Sequence, residues 1–292
     1  MKNVNFFGND VSKLIIGDNP FNGHSYIPEY FSKQEMLDFH TEEQIIKDLF
    51  KMEELGINTI LPLATDFMFR VLSHYRLRGG KLNFIFQLYP PMLTCTAAAK
   101  SMMWKVLELN PIGIYLSGTF MDIRFEEERF GEIHEMIDTI KDVIKDTDIK
   151  FGIGTHHPDV IELSEKENWP VDFYMACMYN LRKGREGTES GFITGKGKTY
   201  TRSNFKPSHR QIMLDTLKNV DKPIIAFKLF AGGQALVERS EAERREIIKD
   251  IYETVFGQLK PDDMGVIGIY QKHHDQLTED IEVFNEWAEA NN

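Results

Sequence analysis

The sequence predicts an α/β protein of the (β/α)8 barrel class, a single TIM barrel. Eight short apolar runs are nearly unbroken by polar residues, which is typical of parallel strands buried on both faces. Amphipathic patterns at helical spacing separate these runs, so strand and helix alternate along the chain. A length of 292 residues is usual for such a barrel. We therefore expect one barrel domain over residues 1–292.

Each predicted strand is bounded by turn-forming or polar residues. The eight strands are Lys13–Gly17, Asn58–Leu63, Asn83–Leu88, Ile112–Leu116, Lys150–Gly154, Val171–Met178, Pro223–Phe230 and Gly265–Tyr270. An open doubly wound sheet would also alternate strand and helix. It requires a glycine-rich dinucleotide turn after an early strand, and the first strand is followed by Asp18-Asn-Pro-Phe-Asn22 instead. The closed barrel is therefore the favoured prediction.

Predicted helices lie between the strands. Thr41–Gln44 and Ser240–Glu243 have the form of capping boxes, and apolar residues follow both at helical spacing. Asp66 is placed either as a helix cap or as a polar group at the end of the second strand. The remaining predicted helices are Asp66–Leu77, Ala97–Leu109, Glu126–Ile144, Pro158–Lys166, His209–Val220 and a last helix through Leu277 and Ala288.

Composition limits the classes of function. A net charge of −11 argues against nucleic acid or an anionic membrane as the main partner. No apolar run approaches the roughly 20 residues of a membrane helix, and the first residues lack the pattern of a secretory signal. Cys95 and Cys177 are far apart and lack metal-ligand spacing, which suits a reducing compartment. We expect a cytoplasmic protein that binds a small molecule.

One predicted loop, 181–208, has no periodicity and is locally basic. It contains seven cationic residues, among them Arg182 and Arg185, against only two glutamates. Long loops in compact domains are usually lids or binding loops. The segment is therefore either a solvated surface loop or a mobile lid that closes over an anionic ligand, with glycines as hinges.

Three residues near strand ends are the candidate catalytic groups. Lys228 lies in the predicted seventh strand, where a buried lysine is unusual unless it is paired or functional. It is expected to act as a base or as an electrostatic clamp, unless it extends to solvent. His156 follows the fifth strand and suits general acid/base catalysis. Asp18 either orients one of these groups or fixes an Asx turn. Because His156 and His157 are adjacent, they seldom share a metal, and we predict none.

Further polar residues follow the strands and are candidates for substrate binding. In a barrel the loops after the strands build the site. Ser117, with Asp122 nearby, is alternatively a turn cap. The candidates are Asn19, Asn22, His24, Gln87, Ser117, Tyr179, Asn180, Arg182, Arg185 and Lys272.

Several segments together resemble the aldo-keto reductase superfamily, a barrel family that reduces carbonyls with NADPH. The first-strand segment is IIGDNPFNG, and EQIIKDLFKMEELGIN is similar to the family's first helix leading into strand two. KFGIGTHHPDVIELSEKENWPVDFYMACMYN resembles the block of strand five, helix and strand six. IIAFKLFAGG and GVIGIYQKHHDQLTEDI are similar to the last two strands with their cofactor-binding turns.

The resemblance implies catalytic positions that this chain does not fill. The family uses an Asp and a Tyr after strand two, a Lys on strand three and a His on strand four. Here strand two reads Ile60-Leu-Pro-Leu63, Gln87 stands near the place of the Lys, and Ser117 stands near the place of the His. The chain thus lacks the set that defines the family's reaction.

The resemblance also implies a place for a dinucleotide, if NAD(P) binds. Phe227 matches the aromatic ring that stacks on nicotinamide, and Lys228 and Lys272 would meet phosphates. Gly232 and Gly233 would leave backbone N–H groups open to an anion. Asp280 stands where the family has an Asn near the last helix.

Taken together, these patterns predict an enzyme that acts on a small anionic, carbonyl- or sugar-like metabolite by acid/base chemistry of lyase or isomerase type. One alternative is an NAD(P)H-dependent oxidoreductase in which another residue, such as His156, replaces the proton donor. A second alternative is a non-catalytic small-molecule-binding barrel. The sequence leaves the cofactor and the oligomeric state open.

Overall fold

A computed structural model describes residues 1–27, 30–89, 93–179, 205 and 207–291. Almost all of the predicted loop 181–208, including Arg182 and Arg185, lies outside the described residues, and so does Asn180. The lid remains a prediction.

Eight strands form one closed barrel, which confirms the predicted fold class. Each barrel strand pairs with the next one along the chain, and the last pairs with the first, so neighbours in the chain are neighbours in the barrel. The paired strands that bracket the candidate site are parallel. The barrel strands are β3 (Leu14–Gly17), β4 (Thr59–Leu61), β5 (Asn83–Leu88), β6 (Gly113–Leu116), β7 (Lys150–Thr155), β8 (Phe173–Cys177), β9 (Ile224–Phe227) and β10 (Met264–Gly268).

The prediction that Lys228 lies within a strand is wrong. Strand β9 ends at Phe227, and Lys228 has φ +50°, in the left-handed region. A residue in that conformation cannot continue an extended strand. Lys228 therefore belongs to the turn that follows the strand.

A small hairpin precedes the barrel and was absent from the sequence-based prediction. Strands β1 (Asn3–Phe6) and β2 (Asn9–Ser12) pair antiparallel, with Phe6 opposite Asn9. The two connecting residues, Phe7 and Gly8, both have positive φ, as a two-residue hairpin turn with the twist of its strands requires.

Helices connect the barrel strands, and those over 33–39 and 118–126 were not predicted. The helix predicted over 126–144 begins at Phe130, because Glu128, with φ +56°, separates it from the helix that ends at Glu126. Thr65 rather than Asp66 caps α3, since its Oγ1 accepts a hydrogen bond from the Met68 N–H. The helices are α1 (Lys33–Phe39), α2 (Glu42–Glu54), α3 (Asp66–Leu77), α4 (Thr96–Leu107), α5 (Gly118–Glu126), α6 (Phe130–Ile144), α7 (Pro158–Lys166), α8 (Ser208–Leu217), α9 (Glu241–Phe256) and α10 (Gln276–Ala290).

The chain divides into two compact units. The first comprises 1–61, 70–83 and 226–292, and the second comprises 62–69 and 84–225. In the first, buried Ile15 and Ile16 of β3 lie level with Val266 and Ile267 of β10. In the second, the β6, β7 and β8 side chains are almost all buried. A single domain over 1–292 stays a prediction. Among the described residues, none of the helices has the length and apolar character needed to cross a membrane.

Candidate acid/base site

The second unit places His156 beside a carboxylate at the C-terminal end of β7. Nδ1 of His156 lies 2.6 Å from Oδ2 of Asp122, and the two side chains are 4% and 0% exposed. Asp122 also accepts hydrogen bonds from Thr155 Oγ1 at 2.6 Å and from the His156 backbone N–H at 3.2 Å. These donors stabilise a buried negative charge.

Helix α5 brings Asp122 to this position. Its N-cap is Ser117, whose side chain accepts a hydrogen bond from the Phe120 N–H at 3.2 Å, so the capping interpretation of Ser117 is observed. Gly118 begins the helix directly after β6. A Cβ atom on Gly118 would lie 2.9 Å from Nδ1 of His156, closer than real Cβ contacts allow. Only glycine therefore lets the imidazole approach this turn so closely.

The contact with Asp122 determines which nitrogen of His156 exchanges protons. When Nδ1–H donates to the carboxylate, the lone pair of the neutral ring resides on Nε2. The same carboxylate stabilises the imidazolium that forms when Nε2 takes up a proton. This arrangement of His156 and Asp122 supplies an oriented general base and its conjugate acid.

The adjacent His157 points to different partners. Its Nε2 lies 3.4 Å from Oε1 of Glu126, and its ring meets the edge of Phe125. Within the part of the chain that the structure describes, no group of three or more His, Cys, Asp or Glu residues is arranged to hold a metal ion.

Two further candidates of the second unit lie on β5 and after β8. Gln87 of β5 accepts a hydrogen bond from the Tyr115 hydroxyl at 3.0 Å, which satisfies its amide oxygen within the protein. Tyr179 follows β8 and is buried, and its hydroxyl accepts a hydrogen bond from Nη2 of Arg210 at 2.9 Å. Sequence reasoning missed both Asp122 as the histidine's partner and Arg210.

In the first unit, the residues after β3 form a local network. Asn22 Nδ2 donates to Oδ2 of Asp18 at 2.8 Å and to its carbonyl at 3.0 Å, across the short 3-10 turn Pro20–Asn22. His24 Nδ1 lies 3.4 Å from Oδ1 of Asn19. Burial lowers the pKa of His24, and the positive charge of Lys33 lowers it further. The buried Asp18 thus helps to fix this turn through the side chain of Asn22, and the Asx-turn interpretation stays a prediction.

The turn after β9 contains a strained lysine. Nζ of Lys228 lies 5.0 Å from the centre of the Tyr26 ring and 5.4 Å from that of Phe227. Gly232 and Gly233 both have positive φ, and a Cβ on Gly232 would lie 2.7 Å from the Tyr26 ring. Lys228 and Gly232 therefore lie next to Tyr26, and Gly233 lies next to Ile27.

The residues that the resemblance assigns to a dinucleotide contact other groups of the protein. Gly232 abuts the Tyr26 ring, and the Lys228 ammonium lies over the Phe227 ring. Lys272 forms an exposed ion pair with Glu35 at 2.9 Å. Asp280 is buried, and burial raises the pKa of its carboxyl well above the usual range. Each of these described groups is engaged with protein atoms, and a role for them toward NAD(P) stays a prediction.

Comparison with known proteins shows a similarity of fold. No protein-family model and no curated protein matches the sequence. Among solved structures, an aldo-keto reductase from Bacillus halodurans in its holo form has a TM-score of 0.60 at 12% identity, covering 97% of this chain and 90% of that one. Gox0644 in complex with NADPH has a TM-score of 0.58 at 7% identity, covering 97% and 88%.

Barrels with other reactions are similar to a comparable degree. Dihydropteroate synthase from Xanthomonas albilineans has a TM-score of 0.54 at 9% identity, covering 99% of each chain. At these identities the likeness concerns the fold alone. It leaves the reaction to be argued from the site.

Proposed function

We propose that this protein is an enzyme in which His156 acts as general acid/base on a small anionic, carbonyl- or sugar-like metabolite. The observation that carries the proposal is the buried hydrogen bond between Asp122 and His156 at the end of β7. Active sites of barrel enzymes lie at this end of the strands. A general acid/base held in position contributes about 10²–10⁴-fold in rate.

The proposed step is a proton transfer of lyase or isomerase type. Nε2 of His156 removes a proton from the carbon next to a carbonyl, and the electron pair moves to the carbonyl oxygen to give an enolate. Asp122 stabilises the imidazolium formed in this step. Where the deprotonated carbon bears a hydroxyl, return of the same proton to the former carbonyl carbon, with the hydroxyl proton passing to the enolate oxygen, completes an isomerisation. Where the next carbon bears a leaving group, its expulsion as the enolate re-forms the carbonyl completes an elimination.

The role of Asp122 replaces one that the sequence suggested for Asp18. Asp18 belongs to the first unit, as does Lys228, and Asn22 is the donor to its carboxylate. Lys228 remains a candidate electrostatic clamp. Hydride transfer is not part of the proposal, since Gln87 and Ser117 stand near the places of the reductase Lys and His. NAD(P)H-dependent reduction with His156 as proton donor is the rival function.

Proton NMR in D2O tests the proposal directly. Wild-type protein is incubated with sugar phosphates, sugar acids and 2-keto acids, and incorporation of deuterium next to the carbonyl is followed. We expect His156→Asn to slow the exchange about 100-fold or more. His134→Asn is the matched control, because His134 packs edge-on against Trp169 in the same unit, and it should exchange like wild type.

Each alternative has its own result in this design. Exchange that is equally fast in His156→Asn contradicts the proposal. Binding of these ligands without any exchange or conversion over hours would favour the non-catalytic barrel. Tight binding of NADPH or NADH with fluorescence quenching would favour the reductase, whereas no binding at millimolar nucleotide would exclude it.

A further inference from the structure

Arg210 is a buried cation in the second unit. The residue is 7% exposed, and its Nη2 donates to the Tyr179 hydroxyl at 2.9 Å. Its Nε is buried and has no hydrogen-bond partner among the described residues. The guanidinium also lies against the Tyr179 ring, with 5.6 Å between Cζ and the ring centre. A phenol therefore positions the cation without neutralising it.

Two other partly buried arginines, Arg244 and Arg124, have carboxylate partners. Arg244 donates from Nε and Nη2 to both oxygens of Glu279, and Arg124 lies 3.2 Å from Glu132. In the described part of the chain, no carboxylate lies within ion-pair distance of Arg210. Burial of a charge without a counter-charge is unfavourable. Among the described residues, Arg210 thus differs from Arg124 and Arg244 in lacking a carboxylate partner.

The helix that carries Arg210 adds positive potential at the same place. Helix α8 spans Ser208–Leu217, so Arg210 lies in its first turn. Its N-cap is Pro207, which supplies no side-chain acceptor, and the first turn has no acidic residue. The N-terminus of a helix bears partial positive charge and presents backbone N–H groups that suit an anion.

Strand register relates this cation to the end of the barrel that carries His156. Thr155 of β7 lies level with Ala176 of β8. His156 and Tyr179 therefore both follow the C-terminal ends of adjacent parallel strands, and such strands are about 4.8 Å apart.

We infer that Arg210 and the first turn of α8 bind an oxyanion, the carboxylate or phosphate group of the molecule on which His156 acts. A guanidinium binds both groups through paired N–H donors, so the two share one recognition chemistry. The assignment of this oxyanion to the substrate rests on the proposed function. The binding of an oxyanion by Arg210 is independent of that function.

Calorimetric titration with inorganic phosphate and with gluconate tests the inference and separates the two kinds of oxyanion. In the variant Arg210→Met, affinity for the preferred anion should fall about tenfold or more. Lys218→Met is the matched control, because it removes an exposed cation paired with Asp215 just beyond the last turn of the same helix. We expect its affinity to equal that of wild type.

Thermal unfolding without anions distinguishes a binding role from a structural one. If Arg210 serves an anion, Arg210→Met should be at least as stable as wild type, because it removes a buried cation that has no carboxylate partner among the described residues. Unchanged anion affinity in this variant would overturn the inference. If the variant does not fold, Arg210→Lys decides. It lacks the planar fork, so a tenfold weaker affinity in the folded protein supports the inference and an unchanged one overturns it.

The variant His156→Asn distinguishes the proposed acid/base function from the proposed anion site. His156→Asn should bind phosphate or gluconate as wild type does. Loss of proton exchange in that variant with intact binding supports both proposals. If His156→Asn exchanges normally while Arg210→Met loses binding, the anion site stands and the acid/base function fails.

Discussion

Oδ2 of Asp122 lies 2.6 Å from Nδ1 of His156, and both side chains are almost wholly removed from solvent. Asp122 reaches this place from α5, the helix after β6, while His156 follows β7. Thr155 donates to the other oxygen of the same carboxylate. The orientation and the tautomer of the His156 imidazole therefore depend on a residue of the helix that follows the neighbouring strand.

Replacement of Asp122 by Asn should reverse the tautomer of His156. The amide presents N–H groups to Nδ1, so the ring proton moves to Nε2, which then has no lone pair to act as a base. We expect the His156-dependent exchange to fall about 10²–10⁴-fold. Nitrogen-15 NMR of the imidazole measures the tautomer directly. Asp142→Asn, at an exposed position of α6, is the control. An unchanged tautomer of His156 in Asp122→Asn would contradict this account.

Gly118→Ala should destabilise the protein and disturb the histidine. The new Cβ would lie 2.9 Å from Nδ1 and 3.0 Å from Cε1 of His156. Overpacking of this kind costs about 1–3 kcal/mol in free energy of unfolding. Gly131→Ala is the matched control on α6, where no atom lies within 4 Å and alanine should stabilise by about 0.5–1 kcal/mol. Equal stability of the two variants in urea unfolding would show that the imidazole can move away.

The buried carboxyl of Asp48 should make stability fall with rising pH. Burial raises the pKa of Asp48 from 3.8 to about 6, more than the hydrogen bond from Gln44 lowers it. Its Oδ2 has no hydrogen-bond partner among the described residues. Because the folded-state pKa is raised, the stabilisation is complete below pH 3.8 and is lost as pH rises through about 6.

Asp48→Asn should therefore remove this pH dependence. The variant gains at most about 2–3 kcal/mol relative to wild type between pH 4 and pH 8, measured by urea unfolding at both values. Asp38→Asn is a close control, because Gln34 and Asp38 repeat the same spacing and hydrogen bond on an exposed surface. The account is wrong if both variants show the pH dependence of wild type.

Two substitutions of Lys228 separate the effect of its backbone strain from the effect of its positive charge. Lys228→Met keeps the left-handed backbone at φ +50°, whereas Lys228→Gly relieves it, and both remove the ammonium near Tyr26. We expect the glycine variant to be more stable than the methionine variant by up to about 1 kcal/mol. Thermal unfolding of both, with and without sugar phosphates, is the measurement. If Lys228 clamps an anion, both variants lose the ligand-dependent shift, and a retained shift removes Lys228 from the binding site.

Elements were predicted accurately where the residues that determine them lie within the same short segment of sequence. Asn83–Leu88 and Pro158–Lys166 were predicted to the residue, because apolar periodicity and a helix-initiating proline lie within the segments themselves. Helix α5 was missed, since the consecutive residues Phe120, Met121 and Asp122 are all buried and leave no amphipathic pattern. The end of β9 was misplaced because nothing in an apolar run reveals that Lys228 adopts positive φ.

By itself, the sequence determined the alternation of strands and helices, and hence the closed barrel and the position of His156 after a strand. Those features follow from burial and propensity within short stretches of chain. Only the tertiary structure decided that Asp122, 34 residues earlier, is the partner of His156, and that the Tyr179 hydroxyl accepts a hydrogen bond from Arg210. The physical reason is that a hydrogen bond depends on separations of a few ångströms between side chains that register and helix packing bring together.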